Sequence, residues 1–172
     1  MTFKEWLSFV LDKKLICERY LPAVDAALSR KQYMDIALDV NGVAFLCDMA
    51  TSGRGLPYDT MCAEFGPYLN GRYISSKNSA DNAYTSTMYC SMEGPSEITI
   101  NTTLTGIFNC HCDVNVPKNK VCQLYVDSAS VINIIVPDGG KCYVDVWGGG
   151  VVRSSSSDKV IVKRRETKNE QV

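Results

Sequence analysis

Residues 101–165 read, in tens, NTTLTGIFNC (101–110), HCDVNVPKNK (111–120), VCQLYVDSAS (121–130), VINIIVPDGG (131–140), KCYVDVWGGG (141–150), VVRSSSSDKV (151–160) and IVKRR (161–165). Aliphatic and thiol side chains recur at fixed places in these units. The second place holds Thr102, Cys112, Cys122, Ile132, Cys142, Val152 and Val162. The fourth holds Leu104, Val114, Leu124, Ile134 and Val144, and the sixth Gly106, Val116, Val126, Val136 and Val146. Alternate side chains of a strand point to opposite faces, so the three columns share one face. Ten is even, so repeating the unit never moves that face. The expected core therefore includes Cys112, Cys122, Cys142, Val114, Leu124, Ile134, Val144, Val126, Val136 and Val146.

Turn formers close each unit, as in LysAsnLys, SerAlaSer, AspGlyGly and GlyGlyGly. Two architectures accept this pattern. One is an antiparallel meander or sandwich of six-residue strands and four-residue turns. The other is a short β-solenoid, in which two units make one coil of about twenty residues. Likeness within a column favours the solenoid, because each side chain there sits on its equivalent about 4.8 Å away. A meander needs no such likeness. The odd places, among them Asp113, Asn115, Gln123, Asn133 and Asp145, are mostly polar and should face water. Tyr125, Ile135 and Tyr143 are the exceptions.

The first seventy residues follow a helical rhythm instead. Thr2 and Glu5 form a capping box ahead of an apolar stripe through Trp6, Leu7, Val10 and Leu11. Pro22 suits the first turn of a second helix carrying Val24 and Ala27. Ser29 and Gln32 form another capping box, opening a helix through Tyr33, Ile36 and Ala37. Asn41-Gly42 marks its end or a tight junction to a further helix, which carries Val43, Phe45, Leu46 and Met49. A last short helix is expected over 57–65. Asn70-Gly71 fits a type I′ hairpin turn, and the small polar run 75–83 reads as a linker. From Tyr84 the pattern alternates, with Met88, Cys90 and Met92 on one face, continued by Ile98 and Ile100. The fold class is thus α+β. A small helical domain spans 1–70, a hairpin or linker 71–83, a repeat β-domain 84–165 and a charged tail 166–172.

Length and composition narrow the function. The chain has 172 residues, 45% of them hydrophobic, and a formal net charge of −1. That balance gives no general attraction to nucleic acid or anionic membrane. No apolar run approaches the roughly 20 residues that cross a bilayer, and no secretory signal is visible. A cytoplasmic location is expected. The eight cysteines are expected to be free thiols. Cys112, Cys122 and Cys142 replace Ile or Val in an inward column, and Cys17, Cys47 and Cys62 lie on apolar helical faces.

Candidate chemistry is sparse. Thiolate and imidazole are good zinc ligands, but on a strand His111 diverges from Cys110 and Cys112. It is also the single histidine of the chain, so every Cys-His or Ser-His-Asp scheme depends on it. The glycines at 148–150 lack the Lys-Ser/Thr sequel of a phosphate loop. Asp127, Asp138 and Asp145 recur near the turns, and paired carboxylates can cleave glycosides. Tyr125, Tyr143 and Trp147 either form an exposed aromatic contact patch or pack beneath the helical half. No catalytic residue, metal ligand or cofactor is assigned.

The run VCQLYVDSASVINIIVPDGGKCYVDVWGGGVV with the basic strand DKVIVKRR resembles short β-solenoid segments of gut Bacteroidetes bacteria and their phages. The likeness covers roughly residues 102–165 and rests on repeat style. It implies a repeat scaffold, often phage- or prophage-encoded, and a virion-associated location in that case. This chain departs from that style in having few units and the run Ser154–Ser157 where a strand is expected. The resulting expectation is a non-enzymatic structural or interaction protein that meets a protein partner or another copy of itself. A carbohydrate-binding or carbohydrate-cleaving solenoid is the first alternative, and a thiol-based metal or redox protein the second.

Overall fold

The computed structural model describes residues 2–27, 29–37, 40–51, 54–56, 60, 63, 74–77, 85–90 and 96–166. Its helices are α1 (Phe3–Asp12), α2 (Leu21–Ala26), α3 (Arg30–Ala37) and α4 (Val40–Thr51). Its strands are β1 (Ile74–Lys77), β2 (Thr85–Cys90), β3 (Glu97–Thr99), β4 (Leu104–Phe108), β5 (His111–Asn115), β6 (Val121–Val126), β7 (Val131–Ile135), β8 (Lys141–Trp147), β9 (Val151–Ser154) and β10 (Val160–Arg165). The expected helix over 57–65 and the Asn70-Gly71 turn fall largely outside the described residues. Part of the polar run read as a linker forms β1.

From β2 onward the chain alternates between two sheets. One has the order β1-β2-β4-β6-β8-β10 and the other β3-β5-β7-β9. Only β1 and β2 pair antiparallel; every other neighbouring pair is parallel. Each strand therefore returns beside the strand two before it, which defines a short parallel β-solenoid and excludes the meander. The fold is α+β, with helices first and the solenoid after them.

Pairing in the middle coils follows the decade columns. Cys122 lies beside Cys142, Leu124 beside Val144 and Val126 beside Val146. In the other sheet Cys112 lies beside Ile132 and Val114 beside Ile134. All ten of these side chains are buried, as are Val116 and Val136. Because the units alternate between sheets, Cys112 stacks on Ile132 and does not join a column with Cys122 and Cys142.

The last four places of each unit form a corner. The N–H of Lys120, Ser130, Gly140 and Gly150 donates to the carbonyl three residues back, at 3.1, 3.4, 3.1 and 3.1 Å. Successive corners are tightly apposed. Gly139 has φ +78, and a Cβ there would lie 2.0 Å from Asn119 Oδ1. A Cβ on Gly150 would meet the Asp127 carbonyl oxygen at 2.4 Å. Glycine is required where one corner rests on the corner of the previous coil.

Two coils break the decade count. Ile107 lies beside Val126, and three residues (Phe108, Asn109, Cys110) then do the work of Asp127 through Ser130 before His111 pairs with Val131. Asn109 takes the left-handed conformation, φ 50, that this shorter corner needs. The missing residue reverses the parity of β4. Thr105 and Ile107 point inward, while Leu104 and Gly106 lie in the outward rows of Gln123 and Tyr125. Leu104 and Gly106 therefore leave the inner columns predicted for them. Met88 likewise lies outside the interior that holds Ile98 and Ile100. At the other end Val160, not Val162, lies beside Cys142. The serine-rich corner is two residues short, so parity is kept but the register moves. Val162, on the last rung of the described residues, is exposed.

The outward face of β2 and β4 seats the helices. Trp6, Val10, Leu46, Met49 and Leu56 pack with Met88 and Phe108, joined at the margin by Leu104 and Tyr125. Helix geometry follows the sequence signals. The Thr2–Glu5 capping box is present at α1. At α3, Ser29 N donates to Gln32 Oε1 and Gln32 N to Ser29 Oγ, at 3.0 and 3.3 Å. Gly42 belongs to the first turns of α4, and a Cβ there would lie 2.5 Å from the Ile36 carbonyl oxygen. It is the tight junction between α3 and α4.

In the interior the Cys122 thiol donates to Cys142 Sγ at 3.6 Å. Cys122→Ser should destabilise the protein by about 1–3 kcal/mol, because it buries a poorly paired hydroxyl. Cys122→Val should recover most of that loss, since Val fills equivalent places in neighbouring columns. Urea denaturation of the three proteins measures both effects.

Candidate functional site

The helices cover only part of the six-stranded sheet. The outward rows run Leu104, Gln123, Tyr143, Ile161 and Gly106, Tyr125, Asp145, Lys163, with Trp147 beside Arg165. The first members lie under the helices. The β8 and β10 members do not, and Tyr143 and Ile161 are exposed there, as is Val121 beside Lys141. Three strands thus place aromatic, aliphatic and cationic side chains on one rigid surface.

A polar chain orders this surface. Gln123 Nε2 donates to Asp145 Oδ2 at 2.8 Å, and Arg165 Nε donates to Asp145 Oδ1 at 2.8 Å. Asp145 is 9% exposed, so two donors satisfy a carboxylate that burial alone would disfavour. The Arg165 guanidinium also lies 5.8 Å from the Trp147 ring centroid, and Lys141 Nζ 5.5 Å from that of Tyr143. Both are within cation–π range. Among the described residues, the enclosed Trp147 indole N–H meets no acceptor.

The three aromatic candidates therefore separate. Tyr125 is half-buried and packs at the edge of the helical cluster, so the parity that aimed it outward aimed it at the helices. Tyr143 is exposed, and Trp147 is half-buried beneath Arg165. Arg165 and Ile161 were missed by sequence reading. The signal for them was the two-residue shortening of the serine-rich corner, which aligns Ile161 with Tyr143 and Arg165 with Trp147.

The candidate aspartates are individually engaged, Asp145 by Gln123 and Arg165, and Asp127 and Asp138 lie apart. Asp127 and Asp138 occupy corners at opposite ends of β7, whose five residues span roughly 16 Å at the usual rise per residue. Paired glycosidase carboxylates stand only about 5–9.5 Å apart. Asp127 Oδ1 accepts from Ser130 Oγ at 2.5 Å and from Asn109 N at 3.1 Å. Ser130 Oγ in turn accepts from Cys110 N at 3.1 Å. This network fastens the three-residue corner to the corner above it. Asp138 is exposed and accepts from Lys159 Nζ at 2.6 Å, and that ammonium holds its carboxyl below the usual carboxylate range.

His111 lies on the outer face, with Nε2 3.2 Å from the Ala129 carbonyl oxygen, whereas Cys110 and Cys112 are interior. Cys110, Cys112, Cys122 and Cys142 are buried free thiols, and Cys17 is an exposed one. Its hydrogen bond with Cys122 and its burial hold the Cys142 thiol far above the usual thiol range. It is kept protonated and unreactive. Among the described residues, no group of three or more His, Cys, Asp or Glu side chains could hold a metal ion. Among the same residues, no helix is long and apolar enough to cross a membrane. No protein-family model, curated protein or solved structure matches the chain.

Burial raises the Asp127 carboxyl above the usual range, against its hydrogen bonds from Ser130 and Asn109. A raised native pKa favours the protonated folded state. The resulting stabilisation is complete below the unfolded value of about 3.9 and is lost as pH rises through the folded value. Asp127→Asn should remove that loss. Urea denaturation at intervals from about pH 3 to pH 7 should show a flatter acid-side profile than wild type.

Proposed function

We propose that this protein is a non-enzymatic structural or interaction protein. The surface of β6, β8 and β10 presents its contact residues. The carrying observation is that Tyr143 and Ile161 are exposed in one row of a parallel sheet, beside Trp147 and Arg165. Parallel sheets are ordinarily covered on both faces. Tyr, Trp and Arg are also the residue types that anchor protein contacts.

The partner that best fits is another copy of the chain. Lys141, Lys163 and Arg165 make the exposed surface basic. On the outer face of the four-stranded sheet, Glu97 lies beside Asp113 at the β3–β5 end, with Arg153 at the β9 end. The acidic end of one copy complements the basic face of the next. That contact is heterologous, so it extends into a chain of copies unless the rotation closes a ring. Such assembly accords with a phage or prophage structural or accessory component, and with a cytoplasmic or virion-associated location.

Sedimentation velocity over a concentration series tests this reading. Wild type should associate reversibly, and more weakly as salt is raised. Tyr143→Ala should weaken association about tenfold, the effect of a modest contact anchor. Lys163→Glu should also weaken it, and Glu97→Lys in the same chain should partly restore it. A monomer at every concentration would overturn self-assembly. Saturable binding on a glycan array, lost in Trp147→Ala, would move the protein to the carbohydrate-binding class.

A further inference from the structure

The helical half contains a cleft of about 180 Å³ between α1, the α1–α2 connection, α2, α3 and the start of α4. We propose that it binds a small uncharged molecule built on one or two fused rings. This site shares no lining residue with the β8–β10 surface and does not depend on the reading above.

Size is the first argument. A dry apolar cavity of ~150 Å³ is large enough for benzene, and this cleft is somewhat larger. The cleft opens to solvent, so a bound ring gains contact with walls that otherwise face water.

The lining supplies the second argument. Trp6, Tyr20, Tyr33 and Phe45 contribute four aromatic rings, the other walls are mostly aliphatic, and no lining residue is charged. Rings favour offset or edge-on contact with a further ring. A carboxylate, phosphate or ammonium entering here would lose its hydration without a counter-charge. Polar groups in the lining are few, and one pair is engaged: the exposed Asn41 donates from Nδ2 to Tyr20 Oη at 2.9 Å. Apolar walls with a few placed polar groups are the usual composition of a small-molecule pocket.

The third argument is that the walls are pinned. Trp6 Nε1 donates to the Arg54 carbonyl oxygen at 3.1 Å, which fixes the indole. Gly42 lines the cleft and permits the close approach of α3 and α4, where a Cβ would meet Ala37 O at 2.6 Å. These contacts fix the indole on one side of the cleft and the α3–α4 junction on the other.

The test uses the full chain and 1-naphthol, a neutral two-ring probe whose binding is followed by isothermal titration calorimetry. The expected result is saturable one-to-one binding, competed by indole. Naphthalene-2-sulfonate, with its charge, should compete at least tenfold more weakly. Ala37→Phe fills the cleft and should weaken probe binding at least tenfold. Cys17→Phe alters the exposed mouth instead and should also weaken it, so the test survives if Ala37→Phe fails to fold. Far-UV circular dichroism checks that each variant is folded. The proposal is overturned by absence of saturable binding, by wild-type affinity in folded Ala37→Phe, or by equal competition from the sulfonate. Probe binding that displaces a second copy of the chain in sedimentation would assign the cleft to a protein contact and overturn it equally.

Discussion

Every coil of the solenoid must present to its neighbour a side chain that fits directly above or below it. That stacking constraint governs the molecule. In the middle coils it explains why Cys122 is matched by Cys142, Leu124 by Val144 and Val126 by Val146. It also explains the corners, where the Asp127 carbonyl of the previous coil leaves Gly150 no room for a side chain and the chain turns through a positive φ at Gly139. Dense interior packing and parallel hydrogen bonding are then two results of one repeat length.

The same constraint governs the polar atoms. Gln123 bonds Asp145 in the next coil, and Arg165 bonds Asp145 from the coil after that. Asn133 Nδ2 donates to Asp113 Oδ1 at 3.2 Å on the other sheet. Neighbouring coils satisfy one another's outward polar groups, as cross-strand pairs do in any sheet. The buried carboxylate of Asp127 acts similarly at a corner, where it accepts a backbone N–H that the shorter corner below directs at it. These groups hold the framework together. The exposed rings and aliphatics at β8 and β10 lie outside that network and remain open to contact.

The solenoid was legible because a period of ten survives several repeats with aliphatic or thiol residues in each inner place. Its parallel pairing was legible from likeness within columns. What escaped was the effect of counting errors at the two ends. Phe108-Asn109-Cys110 contains no written sign that a residue is missing; only the left-handed Asn109 reveals the shorter corner. Four serines in a row likewise hide whether they form strand or turn. The first slip sent Leu104 out of the core and the second moved Val160 into the place assigned to Val162. Tyr125 was ambiguous for another reason. Alternation says which side of a sheet a residue occupies, but not whether helices cover that side. The contact surface was half visible, since Tyr143 and Trp147 share a strand while Ile161 and Arg165 join them only through the shifted register.

Between β6 and β9 the coil repeats at twenty residues without slippage, with unlike structures at either end: helices over the first coils and a basic strand on the last described one. A tandem duplication of residues 121–140 would therefore slot in as one extra coil. It would preserve the inward columns and disturb neither terminus. The distance between the helical cap and the basic end would grow by about 4.8 Å per copy. The number of coils thus sets, in whole steps, how far apart the two ends of the solenoid stand.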